Sequence, residues 1–268
     1  MMIISIFDFL ETEISRTFDY DYIMFDAIFL AIFLILLIQQ KRFKPLLVGF
    51  ITAILTYIID AGIWFNTPSS IPGKMIREYI ITYLGTPLTG DIFAILKFGC
   101  DFMMTISYSL VAFSWVWIMF ESWKEKKIKD MTFWTCLLFG GWMIIPWLSS
   151  WFNFNQIHVW TIRHMDTQIL IQLIVVLIGF ILMIILYVKK DPKVILYVFF
   201  IGCFQAFAME FPLLISGIRP TSLELLIYET FILTNQGAPY LYIIWNKIIP
   251  ILSKRINIID NNEKIRMN

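Results

Sequence analysis

YIMFDAIFLAIFLILLIQQ, residues 22–40, decides how this chain is read. It carries a single charge, Asp26, within an otherwise apolar run. At about 1.5 Å per residue such a run matches the roughly 30 Å of hydrocarbon in a bilayer. Directly after it comes the basic tetrad KRFK (41–44). Before it stand Asp8, Glu11, Glu13, Asp19 and Asp21 against a lone Arg16, so the start of the chain lacks the positive charge and the cleavage site of a secretory signal. The run is therefore expected to stay as a first membrane span, preceded by a short extracytoplasmic segment over 1–21.

Working outward, comparable apolar runs recur near 45–65, 93–120, 132–152, 167–188, 194–217 and 222–248. KEKKIKD (124–130) and KKDPK (189–193) punctuate them. The expectation is an all-α polytopic membrane protein of seven transmembrane helices over 22–250, with a cytoplasmic tail over 251–268. Composition agrees: 59% of residues are hydrophobic, 15% are charged, and mean hydropathy is +0.76. A soluble domain carries about a quarter charged residues. A net charge of +1 gives no basic field for nucleic acid. The bilayer itself is the expected partner.

The segment 66–90 interrupts the pattern with Pro68, Pro72, Gly73, Gly85, Pro87 and Gly90. Its middle, KMIREYIITYL (74–84), is too short to span and is expected to be an amphipathic interfacial or re-entrant helix. Orientation follows from lysine and arginine. Fifteen of the 21 basic residues fall in 41–44, 124–130, 189–193 and the C-terminal region, and five on the opposite side. That places the N-terminus outside and the C-terminus in the cytoplasm. The short loops suit the cytoplasmic membrane of a prokaryote.

Carboxylates inside a bilayer cost about 2–3 kcal/mol each, so they persist where they pair or act. Asp60, Asp101, Glu210 and Glu229 lie in four different spans, each about 9–12 Å below the outer surface by residue count. Asp26 and Asp91 are shallower. Thr52, Thr56, Asp60 and Trp64 recur on one face of the second span, and Asp101, Thr105, Tyr108 and Trp115 form a like stripe in the third. In the last span TNQGAPY (234–240) sets Asn235, Gln236, Gly237, Pro239 and Tyr240 near mid-membrane. Pro239 removes a backbone donor there, as Pro212 does beside Glu210, so both helices are expected to break. Broken helices at mid-membrane are how many carriers present a substrate site.

The leading expectation is a small transporter or ion-coupled carrier with an outward-accessible acidic pocket. Asp60, Asp101, Glu210, Glu229, Asn235, Gln236, Tyr108 and Tyr240 would line it and receive a cation, a proton or a small basic solute. Lys97, Arg77, Arg163 and Arg219 share that side and offer structural partners for the same carboxylates. Two alternatives stand beside it: a membrane-embedded enzyme acting on a lipid or isoprenoid head group, its phosphate held by Arg77, Arg163 or Arg219, and a seven-helix sensor or accessory subunit.

Other chemistries lack their residues. A retinal Schiff base needs a mid-span lysine in the last helix, where only Lys247 stands near the end. His158 and His164 are the only histidines and are expected in a solvated loop, too few for a zinc hydrolase. Cys100, Cys136 and Cys203 form no CxxC pair and are expected as buried thiols. No phosphate-cradling or dinucleotide motif occurs, so no cofactor is expected.

Overall fold

The structure, a computed structural model, describes residues 13–152, 154–219 and 222–251. It is predominantly helical. The helices are α1 (Asp21–Gln39), α2 (Phe43–Trp64), α3 (Gly90–Lys124), α4 (Ile128–Trp151), α5 (Met165–Tyr187) and α6 (Lys193–Ile215). A seventh unit, α7, starts as Leu223–Ile232, passes through a 3-10 turn at Thr234–Gln236, and resumes as Ala238–Ile243 and Ile244–Ile248. The first six contain stretches long and apolar enough to cross a membrane. The seventh lacks a continuous stretch because its helix is interrupted where the sequence carries Asn235, Gln236 and Gly237.

Burial identifies the central post. In the most apolar window of α3, 83% of residues are buried, against 11% in α2 and 22% in α5. α3 packs against α2, α4, α6 and α7, and its Trp115, Trp117 and Phe120 sit in the main core. α2 and α5 instead turn Leu47, Phe50, Leu177 and Ile185 outward, as helices solvated by lipid do.

Four short strands close one end of this bundle: β1 (Glu13–Asp19), β2 (Arg77–Tyr83), β3 (Thr86–Pro87) and β4 (Ile157–His164). They form one antiparallel sheet in the order β1-β4-β2-β3. Each strand adjoins a helix end on the same side of the bundle. The free edge of β1 is also tied there, because the Thr17 amide donates to the Ile218 carbonyl between α6 and α7 (2.9 Å). β2 turns into β3 through Leu84 and Gly85, both at positive φ, as two-residue hairpin turns demand.

The sheet corrects two expectations. REYIITY (77–83) is a strand, not part of an interfacial helix: Arg77, Tyr79 and Ile81 are buried while Ile80 and Tyr83 are exposed. That is largely period-two patterning in a segment rich in β-branched and aromatic residues. IHVWTIRH (157–164) is likewise a strand rather than a solvated loop, and His164 is only 2% exposed. Two smaller expectations also shift. α6 runs without interruption through Pro212, and Cys136 is exposed on α4 while Cys100 and Cys203 are buried.

Candidate functional site

Cross-strand register builds the floor of the site. Ile14, Arg163 and Arg77 align across β1, β4 and β2, followed on the same face by Arg16, Thr161 and Tyr79, then Phe18, Val159 and Ile81. Phe18, Val159 and Ile81 belong to the main helix-bundle core. Side chains alternate across a strand, so Arg16, Arg77 and Arg163 project from that same inward face. They meet carboxylates carried by the helices.

Arg16 Nη2 donates to Glu210 Oε1 on α6 (2.8 Å). Arg219, in the α6–α7 connection, grips the same glutamate through Nη2 (3.1 Å) and through Nε. Arg163 pairs closely with Glu229 on α7, and Arg219 Nη2 lies 3.6 Å from that carboxylate. A second group lies beside α2 and α3. Arg77 Nη2 is 3.0 Å from Asp60 Oδ2. Asp101 accepts from Tyr79 OH (2.6 Å) and from Lys97 Nζ (2.5 Å), and Lys97 also lies over the Phe65 ring at 3.9 Å.

All four carboxylates thus lie at the sheet end, and each has a basic partner. In three of the four pairings that partner is carried by a strand. Arginine suits this duty because its planar fork makes directed, charge-assisted hydrogen bonds while remaining ionised. Neighbouring charge divides the arginines. Burial pulls the Arg77 guanidinium down, but Asp60, Tyr79 and Asp101 outweigh it and hold it above the usual value. Arg16 is likewise raised, with Glu210, Tyr108 and Glu229 overcoming burial. Burial and the positive charges of Arg16 and Arg163 press Arg219 down to about 10, against Glu210 and Glu229.

Backbone irregularity marks the same depth. α2 becomes π-helical over Ile58–Trp64, around Asp60, and α3 over Phe102–Ser107, immediately after Asp101. Such turns insert an extra residue and are frequent at functional sites. Below them Tyr108 OH lies 2.6 Å from Tyr22 OH, and the Arg16 guanidinium stands 5.9 Å from the Tyr108 ring. Asp26 on α1, 1% exposed, has Ser107, Tyr108 and Tyr22 as polar neighbours. Among the described residues no basic side chain forms an ion pair with it.

The remaining sequence-selected residues serve helix contacts. Asn235 is fully buried and its amide donates to the Phe231 carbonyl (2.9 Å), capping a carbonyl that the helix break leaves free. A Cβ at Gly202 on α6 would stand 2.1 Å from Asn235 Oδ1, so glycine permits this close approach. Gln236 bonds the Leu233 carbonyl of its own helix, and Tyr240 donates to Val175 on α5. Thr52 and Thr56 likewise bond carbonyls of their own helix. Arg16 and Asp26 are the residues whose importance the sequence understates. Alternation in EISRTFD (13–19) is the signal that points Arg16 inward with Ile14 and Phe18.

Among the described residues no group of three His, Cys, Asp or Glu side chains is placed to hold a metal ion. No protein-family model matches this chain, and no curated protein or solved structure matches it either.

Proposed function

We propose that the chain is a seven-span carrier, N-terminus outside, whose outward end is closed by the sheet through arginine–carboxylate pairs. The observation that carries this reading is the pairing of strand-borne Arg16, Arg77 and Arg163 with helix-borne Glu210, Asp60 and Glu229. Ion pairs joining a cap to a bundle can be exchanged, with little change in local charge, for pairs with a solute. A guanidinium- or ammonium-bearing solute offers the carboxylates the chemistry they already receive from arginine. A proton on the same carboxylate removes the attraction altogether. Asp26, buried and without an ion-pair partner among the described residues, is the carboxylate assigned to a coupling proton.

The seventh span comes from taking α7 as a crossing despite its break, since irregular backbone at membrane depth is tolerated where protein surrounds it. Asn235, Thr234 and Ala238 are buried at the break. With seven crossings the sheet lies outside and the lysine-rich loops inside, in agreement with the charge bias. A cysteine at His158 should react with an impermeant thiol reagent on intact cells, and one at Lys126 only after permeabilisation.

Flux into liposomes tests the carrier reading, with protons, metal cations, guanidinium and small amines as probes. At least one should be transported, and Glu210→Gln or Glu229→Gln should reduce its rate at least tenfold. Absence of flux for every probe, or flux unchanged in Asp60→Asn, Asp101→Asn, Glu210→Gln and Glu229→Gln, defeats it.

A second reading is favoured by one observation. Three arginines face two glutamates in the drier group, and Arg16 Nε and Arg219 Nη1 are buried without a hydrogen-bond partner among the described residues. That surplus suits an anion, as an enzyme handling a lipid phosphate at the outer leaflet requires. Turnover of a phosphorylated lipid by the purified protein, lost in Arg219→Gln, would establish it over the carrier.

A further inference from the structure

At the end of the bundle opposite the sheet, a cavity of about 200 Å³ opens between the start of α2 and the ends of α3 and α7. Lys44, Trp117, Glu121, Lys124, Trp245 and Asn246 line it, with Ile249 and Pro250 at its edge. The fate of its one carboxylate decides what it can hold. Glu121 Oε1 accepts from the Trp117 indole (2.8 Å), and Oε2 accepts from Arg42 (3.3 Å). Arg42 in turn binds Asp130, which also accepts from Ser122. The acid is therefore engaged by other groups.

The lysines are not so engaged. Among the described residues neither Lys44 nor Lys124 forms an ion pair, and Lys124 Nζ rests 5.3 Å from the centroid of the Trp245 ring. Asn246 uses its carbonyl oxygen to accept from Tyr187 OH (3.0 Å), which leaves its NH₂ as a donor. Two lysines and an asparagine with a spare donor thus line a space whose carboxylate is already satisfied, so its unused chemistry is donation to an anion. The Trp245 ring beside Lys124 suits a ligand with an apolar continuation. The volume is below the roughly 300–1,000 Å³ of pockets that enclose a whole drug-sized ligand, and fits a head group.

We propose that this cavity binds a phosphate group, that of an anionic phospholipid or of a free phosphate, between Lys44 and Lys124. The proposal needs the helices to stand in a bilayer but does not depend on transport, so it survives or fails separately from the carrier reading.

The test is thermal unfolding of the detergent-purified full chain titrated with short-chain phosphatidylglycerol, short-chain phosphatidylcholine or inorganic phosphate. Phosphatidylglycerol should stabilise the wild type at concentrations where phosphatidylcholine does not. Each surface lysine contributes about 1 kcal/mol to anionic-lipid attraction, so Lys44→Ala with Lys124→Ala should raise the apparent Kd about 10- to 30-fold. Lys44→Arg with Lys124→Arg should keep binding within about threefold, which separates lost charge from misfolding. Stabilisation by inorganic phosphate with the same lysine dependence would assign the site to a free phosphate; its absence would assign it to lipid. Equal response to both lipids with none to phosphate, or responses unchanged in the double alanine variant, would overturn the proposal.

Discussion

Beneath one sheet, Asp60 and Asp101 meet two cations, Arg77 and Lys97, whereas Glu210 and Glu229 meet three, Arg16, Arg163 and Arg219. The first group is also the wetter at one point, with the Asp60 side chain 20% exposed against 1% for Glu229. Within the surplus group the guanidiniums divide: Arg16 is raised above its usual value, as Arg77 is in the first group, whereas burial and the charges of Arg16 and Arg163 press Arg219 down to about 10. Arg219, enclosed between two other arginines, is thus the crowded cation of the five. The second group holds more charge in less water, so its acids are the harder to replace.

The largest effect expected from this difference is on the acids. Glu229→Gln leaves Arg163 and Arg219 buried with only Glu210 between them. Breaking such a buried pair costs about 3–5 kcal/mol. Asp60→Asn, at a partly exposed site, should cost about 1 kcal/mol. Unfolding of the two purified variants beside the wild type measures both, and equal losses would abolish the distinction between the groups.

Next in size is a contrast between arginines. Arg219→Gln removes the crowded cation and leaves Arg16 with Glu210 and Arg163 with Glu229. Arg163→Gln takes away the close partner of Glu229 and keeps the crowded residue. The second should be the more destabilising by about 1–2 kcal/mol, of the order of a hydrogen bond to a charged group. The reverse order would show that Arg219, through its double grip on Glu210, is the true anchor.

The smallest expected effect lies in the alkaline range, where the groups pull in opposite directions. Burial and Asp101 raise the Tyr79 hydroxyl well above its usual 10. The unfolded chain then loses that proton first, and stability falls as pH rises past 10. For Arg219 the folded value is the lower one, so between about 10 and 12.5 the unfolded chain holds the extra proton and stability rises. Tyr79→Phe should therefore cost about 1 kcal/mol at neutral pH through the lost hydrogen bond, and should lessen the loss of stability above pH 10. A pH profile parallel to that of the wild type would remove Tyr79 from the account.

The helices were legible in the sequence because an apolar run of bilayer length has few other solutions. YIMFDAIFLAIFLILLIQQ is one of these. The strands were harder to read. REYIITY has Arg77, Ile80 and Ile81 at spacings that also suit a helical stripe, and seven residues are too few to separate periods of 2.0 and 3.6. The carboxylates Asp60, Asp101, Glu210 and Glu229 could be found one by one from their cost in lipid. Their partners could not, since Arg16 and Arg163 reach them through strand register, a relation between segments far apart in the chain. The interruption near Asn235 was visible from Gly237 and Pro239. The continuity of α6 through Pro212 was not, because a proline in a helix leaves open whether its neighbours restore the turn.

The sheet also sets a clock on assembly. Glu13 of β1 pairs with His164 of β4, so at roughly 5–20 residues per second the first strand waits on the order of 10 s for its neighbour to be made. Throughout that interval α1 to α4 stand with the end of the bundle uncovered. Glu210 and Glu229, synthesised later still, arrive after all three strand arginines. The cap is therefore the last part of the molecule to close. Damage to β1 should yield chains that insert with the correct topology but remain open to protease at the sheet end.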